Sequence, residues 1–457
     1  MKKIFIFLAV GVTVIVLLPL LGNKVVQDEL DNRIKTLSVY GLQISKNTEE
    51  STYFDAKRHY EFVLKDVDKF SKYLQRFSYN QLPPYMDAML LGVKIGVDME
   101  YSNFLFDDSI GVDIYPLSLS KELTQDLQKT DMEFYKHIEM FLKDRGVLYH
   151  INYHVSSSSF DGYFKNIQEE YLLKDSSKMA INIKKVIFSG EGPLIAPTVL
   201  KSEIGHINLG FIDEKGVELS LKIDDFFSTS NFESNSTYLS TANFKNVEYK
   251  VAGTQRNDVL FKGSNFYLNA SSNIQNEKGE VYLKNSFDKM SFKTNLMTFA
   301  IDDFNSDMAL NDINKESFEE LRVFLFDSKI NNSNGLDKKF EKSILKFLSK
   351  GFSFNIADFS IDKFKIDNKN IEGFNLMANV TLKEDSDFSK NIQEVPVRIL
   401  QNISAKAKFV FSKDMMNIIY KDVPVKMIKY AKKQGDDFVL NMKYENSKFI
   451  INDKVIK

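Results

Sequence analysis

The chain has 457 residues, 43% hydrophobic and 27% charged, which is enough to bury a sizeable core and fill two or three domain-sized units. Lys plus Arg total 60 against 62 Asp plus Glu, a net charge of -2 with no basic stripe, which excludes nucleic acid as a partner class. Cysteine is absent, which removes disulfides, thiol catalysis, Cys-ligated zinc and a lipidated N-terminal Cys, and the 39 Phe and 20 Tyr leave much of the packing to aromatic burial.

Met1, Lys2 and Lys3 precede an uncharged run from Ile4 to Gly22 that would span roughly 28 Å as a helix, close to the hydrocarbon thickness of a bilayer. Ala9 is the only alanine before Ala56, so the small-residue cut site of a cleaved signal is missing. The expectation is an uncleaved anchor over residues 4–22, with residues 1–3 in the cytoplasm and the rest from Asn23 in the periplasm or outside. No second apolar run of comparable length follows, so the reading is single-pass. Ala9 and Thr13 have small-xxx-small spacing, which one pair does not raise above chance. Val26, Leu30, Ile34 and Leu37 recur at helical spacing, an amphipathic stalk over residues 23–37.

Residues 38–315 read as a β-rich body. "LSVYGLQIS" and "RHYEFVLK" alternate as strands, and Phe70, Tyr73, Leu74 and Phe77 form one face of a helix that Pro83 and Pro84 must end. Strands follow at "LLGVKIGVDMEY" and "SIGVDIYPLSL", then a helix from Ser120 to Arg145 with Gly146 placed to stop it. From Val147 to Asp303 strand follows strand; in "VELSLKID" the alternation of Val217, Leu219, Leu221 and Ile223 with Glu218, Ser220, Lys222 and Asp224 marks a sheet with one wet face. Residues 316–457 mix classes. Helices are expected around Phe318–Leu325, Phe340–Leu348 and Val425–Lys432, and strands at Phe352–Ile366, Ile371–Leu382, "SAKAKFVF" and a closing hairpin turned by "YENSKF". The fold class expected is α+β, strand-dominated, behind one transmembrane helix.

The phrase Ile-Asp-x-Phe occurs at 223–226, 301–304 and 361–364. Around it "SFKTNLMTFAIDDF" from Ser291 aligns with "GFSFNIADFSIDKF" from Gly351, and apolar residues change parity at matching places. A regular strand keeps its apolar face at period two, so the switches imply a strand buried on both faces or bulges that re-aim it. The rival reading is chemical: Asp303, Asn305, Asp307 and Asn311 occupy positions one, three, five and nine of a calcium loop. Met308 stands where that loop needs Gly, and Asn314 replaces its bidentate Glu. His150 and His154 share a strand face, but His59, His137 and His206 supply no evident third metal ligand. Gly190 and Gly263 lack phosphate-loop spacing with Lys, no G-x-S-x-G elbow occurs, and the pairs Asp107/Asp108, Asp224/Asp225 and Asp436/Asp437 are strand neighbours that face apart. No catalytic, cofactor or metal residue is assigned, and no enzyme is expected.

The anchor with its stalk, "GLDKKFEKSILKFLSKGFSFNIADFSID" and the terminal "FVLNMKYENSKFIINDKV" resemble the YdgA-like family of bacterial envelope proteins. The chain departs from that pattern at "STYFDAKRHYEF", which has no Arg-Gly-Trp-like element. The resemblance implies an inner-membrane protein facing the periplasm, with no functional residues to carry over. The function expected is a non-enzymatic scaffold or interaction module for an envelope protein partner. The alternative is a lipid-handling protein whose curved sheet encloses acyl chains, as in the more distantly similar AsmA-like proteins; a metal-dependent enzyme ranks below both.

Overall fold

The computed structural model describes residues 37–51, 55–74, 89–102, 109–193, 197–234, 236–253, 258–275, 278–326, 334–367, 369–389, 395–416 and 429–456. The α+β expectation is corrected in its architecture. The 21 strands of the described residues belong to one antiparallel sheet, with the helices as short connections between successive strands rather than as an equal partner layer. Among the described residues no helix is long and apolar enough to cross a membrane, and the run at residues 4–22, with all of the stalk except Leu37, lies outside them. The chain divides into two compact units, the first running to Asn231 with Val251–Gly253, the second comprising Phe232–Lys250 and everything after Thr254.

In the first unit β1 (Leu42–Ser51), β2 (Asp55–Leu64), β3 (Lys94–Ser102), β4 (Ser109–Ser118), β5 (Tyr149–His154) and β6 (Ser159–Phe164) pair in chain order. β6 and β7 (Ile167–Leu172) then lie end to end along β8 (Lys178–Glu191), which continues to β9 (Val199–Ile212) and β10 (Glu218–Ser234). Alternation along β2–β5 puts Tyr60, Phe62, Ile95, Val97, Val112, Ile114 and Ile151 into one buried cluster. That cluster also takes residues of α1 (Val67–Leu74), α2 (Lys121–Thr130) and α3 (Met132–Lys143), among them Phe70, Leu127, Phe134 and Ile138. Burying one such side chain stabilises by about 1.5–3 kcal/mol, which makes this cluster the main anchor of the unit.

Three local expectations change here. Leu37–Val39 form a helical turn, and the strand expected from Ser38 starts at Leu42, after Gly41 turns the chain at φ 87°. The single helix expected from Ser120 to Arg145 is two: Ser120 caps α2 by accepting the Leu123 N–H, and buried Asp131, at φ -154°, leaves the helix and accepts the Phe134 N–H to start α3. At its end Gly146 N–H bonds the Phe141 carbonyl and Arg145 N–H that of Leu142, a Schellman closure whose left-handed residue is Arg145 (φ 51°), one position before the expected Gly146.

The second unit holds most of β11 (Thr237–Ala252), then β12 (Val259–Asn273), β13 (Gly279–Thr294) and β14 (Thr298–Ile313). After α4 (Lys315–Phe326) and α5 (Asn334–Ser349) come β15 (Phe352–Ile366) and β16 (Lys369–Leu382), and after α6 (Val395–Asn402) come β17 (Ile403–Ser412), β18 (Lys432–Gln434), β19 (Asp437–Glu445), β20 (Lys448–Ile451) and β21 (Lys454–Ile456). β12 to β17 pair in order; β19 follows β17, with β18 and β20 along its other side and β21 on β20. Helix α6 was not expected. The helix expected at Val425–Lys432 falls largely outside the described residues, and Lys432 itself begins a strand.

Strands β12–β16 run 14 to 16 residues, roughly 50 Å at 3.3 Å per residue. Yet the buried cluster at the closing end of the unit has only Phe411, Leu440 and Ile451 at its centre. "VELSLKID" likewise is not a buried face against a wet one: Leu219, Leu221 and Ile223 of β10 are half-buried, as are Glu218, Lys222 and Asp224.

Candidate functional site

The repeated phrase marks a line of bulges. Asp303 adopts φ 53° on β14; its neighbours pair normally, Asp302 with Lys363 and Phe304 with Ile361, leaving Asp303 opposite Asp362 outside the ladder. One strand further, Ile361 pairs Phe374 and Lys363 pairs Glu372, so Gly373 lies in the same line. A Cβ on Gly373 would stand 1.7 Å from the Ile361 carbonyl oxygen, which is why "IEGF" has glycine there. In the other direction the line passes Asp288 and Asn265 (φ 52°), whose amide donates to the Asp288 carboxylate at 2.6 Å. The first unit repeats the device at Lys185 (φ 54°), Gly205 and Asp225 (φ 49°), between the pairs Lys184–His206–Asp224 and Val186–Ile204–Phe226.

Each strand takes its extra residue at the same level, so register survives while parity flips in all of them together. Phe359 and Phe364, five apart and hence on opposite faces of a regular strand, both pack on Phe374, at 5.8 and 6.1 Å between ring centroids. A further register shift between Ile356 and Phe359 makes the first parity switch of β15. In the aligned segment from Ser291, by contrast, the first switch is the hairpin turn between β13 and β14, so the two segments share only the Ile-Asp-x-Phe step.

The result is one ring-lined face. Phe266, Phe287, Phe304, Phe359, Phe374 and Phe409 follow one another across β12 to β17 with centroid separations of 5.4, 4.8, 5.7, 5.8 and 5.6 Å. Phe411 and Phe438 carry the contact on to β19. In-register rows flank it: Leu283, Met308, Ile356, Ala378, Ala407 and Met442 on one side, and Met290, Ile301, Phe364 and Ile371 across the bulges. Ala378 and Ala407 are short beside Ile356 and Met442, which leaves a dip in that row. Most of these residues are half-buried, and Leu283 and Phe292 are exposed. The opposite face is polar, with Lys289, Asp302, Lys363 and Glu372 in one register row. A shallow cavity of about 920 Å³ at β15–β19 takes in Ile356, Ala378, Ala407 and Met442 of the apolar row together with Lys406 and Lys408.

The first unit carries a second cluster, on the wet side of β2–β5. His59, Asp98, Asp113 and His150 are in register on four successive strands. His59 Nδ1 lies 2.6 Å from Asp98 and His150 Nδ1 2.7 Å from Asp113, and Arg145 reaches Asp98 at 2.5 Å and Asp113 at 3.6 Å from above. Tyr115 donates to Asp98 at 3.0 Å while the Arg145 guanidinium lies over its ring; burial, then the Asp98 charge, push the phenol well above its ordinary range, so it stays a donor. His59, Asp98, Asp113, Arg145 and His150 border a cavity of about 360 Å³. Each carboxylate of the row faces an imidazole and the Arg145 guanidinium, which makes the cluster a tie between strands and the α3 terminus rather than a nucleophile with its base.

The calcium positions do not converge: Asp303, Asn305, Asp307 and Asn311 lie along the extended β14, and Asp307 accepts the Tyr282 hydroxyl. His150 and His154 each face a carboxylate on an adjoining strand, as do His59 and His206 with Asp98 and Asp224, while His137 of α3 faces Glu169 of β7. Among the described residues no group of three or more His, Asp or Glu is placed to hold a metal ion. Asp225 forms its bulge, Asp436 and Asp437 turn into β19, and Asp107/Asp108 lie outside the described residues. Sequence reasoning missed the His59–Asp98–Asp113–His150 row, because only the strand register brings those residues together.

Comparison with known family models, curated proteins and solved structures finds no match to this chain.

Proposed function

We propose that the second unit holds acyl chains, in the manner of a lipid-handling protein, on its ring-lined face. The observation that supports this is the combination of continuity with exposure: bulges in β12 to β16 keep rings and aliphatic side chains on one face over a strand length of about 50 Å, and that face is left half in water. Such a face offers dispersion and hydrophobic burial but no convergent polar groups, which suits a flexible hydrocarbon chain better than a ligand recognised by hydrogen bonds. An envelope location, anchored through residues 4–22 as in the YdgA-like proteins the termini resemble, would put such a face beside its ligand.

Native mass spectrometry with lipid extraction on the purified full chain tests this. Phospholipid bound in stoichiometric amount, and reduced by Phe374→Ala, is the expected result. A clean, empty protein would overturn it and favour the scaffold reading, to be pursued by crosslinking to an envelope partner.

A further inference from the structure

One end of the ring-lined face is built unlike the other. The β13–β14 hairpin closes through Thr294–Met297, and Leu296 at its tip is 85% exposed, with Met297, Phe292 and Ile366 beside it also exposed. Phe292 pairs Phe299, and Phe299 pairs Ile366, so the tip continues the apolar rows without a break. Thr294 closes the turn: its N–H donates to the Met297 carbonyl at 2.8 Å, and its hydroxyl accepts the N–H groups of Leu296 and Met297 at 3.2 and 3.1 Å. It is tied to the β15–β16 turn, where Asp367 accepts the Thr298 N–H at 2.9 Å and donates its own N–H to the Thr298 carbonyl at 2.7 Å. Lys293, Lys365 and Lys369 surround the tip, all exposed, against the acids Asp258 and Asp367.

We infer that this double hairpin tip docks on the surface of a bilayer containing anionic lipid, with Leu296 and Met297 entering the headgroup boundary and the three lysines facing phosphate. Each backbone donor already paired lowers the cost of approaching that region, and the turn occupies the N–H groups of Thr294, Leu296 and Met297. Exposed apolar side chains ringed by lysine are the pattern of interfacial binding, each cation near an anionic surface adding to the attraction. The inference deepens the acyl-chain reading, because a docked tip delivers lipid directly to the first row of the ring-lined face.

The chain has no cysteine, so one introduced at Asn295 is the only labelling site, and the substitution leaves Leu296 in place. The full-length Asn295→Cys protein, carrying an environment-sensitive fluorophore, is reconstituted into vesicles of phosphatidylcholine alone or with phosphatidylglycerol. Lys278→Cys, at the opposite end of β13, is the comparator; any N-terminal tether acts equally on both. The expected result is a blue shift and quenching by spin-labelled lipid at 295 but not at 278, needing phosphatidylglycerol and at least halved by Lys293→Gln with Lys365→Gln, or by Leu296→Asp. Equal spectra at the two sites, or a shift at 295 indifferent to all three substitutions, would overturn docking. Lipid extraction on the same protein separates the two proposals: a shifted tip on an empty protein refutes the acyl-chain reading alone, and bound lipid with an unshifted tip refutes docking alone.

Discussion

Removing Asp303 tests the bulge line most directly. Without its extra residue the rest of β14 changes parity, so Phe304, Met308 and Leu310 leave the ring-lined face and Asn305 and Asp307 replace them. Three half-buried apolar side chains lose about 1 kcal/mol each, half the value for full burial. The Phe304 contacts with Phe287 at 4.8 Å and Phe359 at 5.7 Å account for about 1–2 kcal/mol more. Asp307 also loses the Tyr282 hydroxyl and meets an apolar surface, another 1–3 kcal/mol or so. The deletion is therefore expected to cost about 5–8 kcal/mol, comparable to the whole stability of a small domain. Asp303→Gly keeps the residue count and suits φ 53°, while its added freedom in the unfolded chain works the other way, leaving a change within about 1 kcal/mol. Urea unfolding followed by far-ultraviolet circular dichroism compares the two, and a deletion midpoint no lower than that of Asp303→Gly would refute the reasoning.

Phe374→Ala removes the ring on which Phe359, Phe364 and Phe409 all pack and should cost about 2–3 kcal/mol in the same assay, less than a fully buried Phe because the site is half open. Gly373→Ala places a methyl group against the Ile361 carbonyl and should destabilise by about 1–3 kcal/mol, whereas Gly216→Ala, with open space around it but φ 80°, tests backbone strain alone. Asp98→Asn keeps the shape at the Arg145 crossing but loses its charge; with these side chains partly exposed, a loss of about 1–2 kcal/mol in equilibrium unfolding is expected. Burial raises the phenols of Tyr115, Tyr149 and Tyr171, so the unfolded chain releases those protons first and stability falls as pH rises past the ordinary phenol value; ultraviolet titration should show a late-ionising group of tyrosines that disappears in denaturant.

Much of the strand content was legible because alternation persists between the bulges: Phe352–Ile366 was readable to the residue, and α4 and α5 showed as helical stripes. The bulges were legible as parity switches, though not their alignment, since Ile-Lys-Lys-Val in β8, Ile-Gly-His-Ile in β9 and Ile-Glu-Gly-Phe in β16 do the same work with different middle residues. What the line requires is a residue that tolerates a left-handed or crowded backbone, and Asp, Asn, Gly and here Lys each satisfy it. The break at Asp131 was hidden because its neighbours keep the helical stripe, and only the cap geometry ends α2. The polar row of the first unit was illegible for a different reason: His59 and His150 are far apart in sequence, and nothing local states which strands will be neighbours.

A sheet whose kinks line up can grow without being redesigned. Lys185, Gly205 and Asp225 are evenly spaced along the chain, one per strand, so a further hairpin carrying an apolar residue, two tolerant ones and another apolar residue at its midpoint would continue the same line through two more strands. Duplication of such a hairpin would widen the sheet by a fixed increment, so that the extent of its kinked surface would follow from sequence length alone.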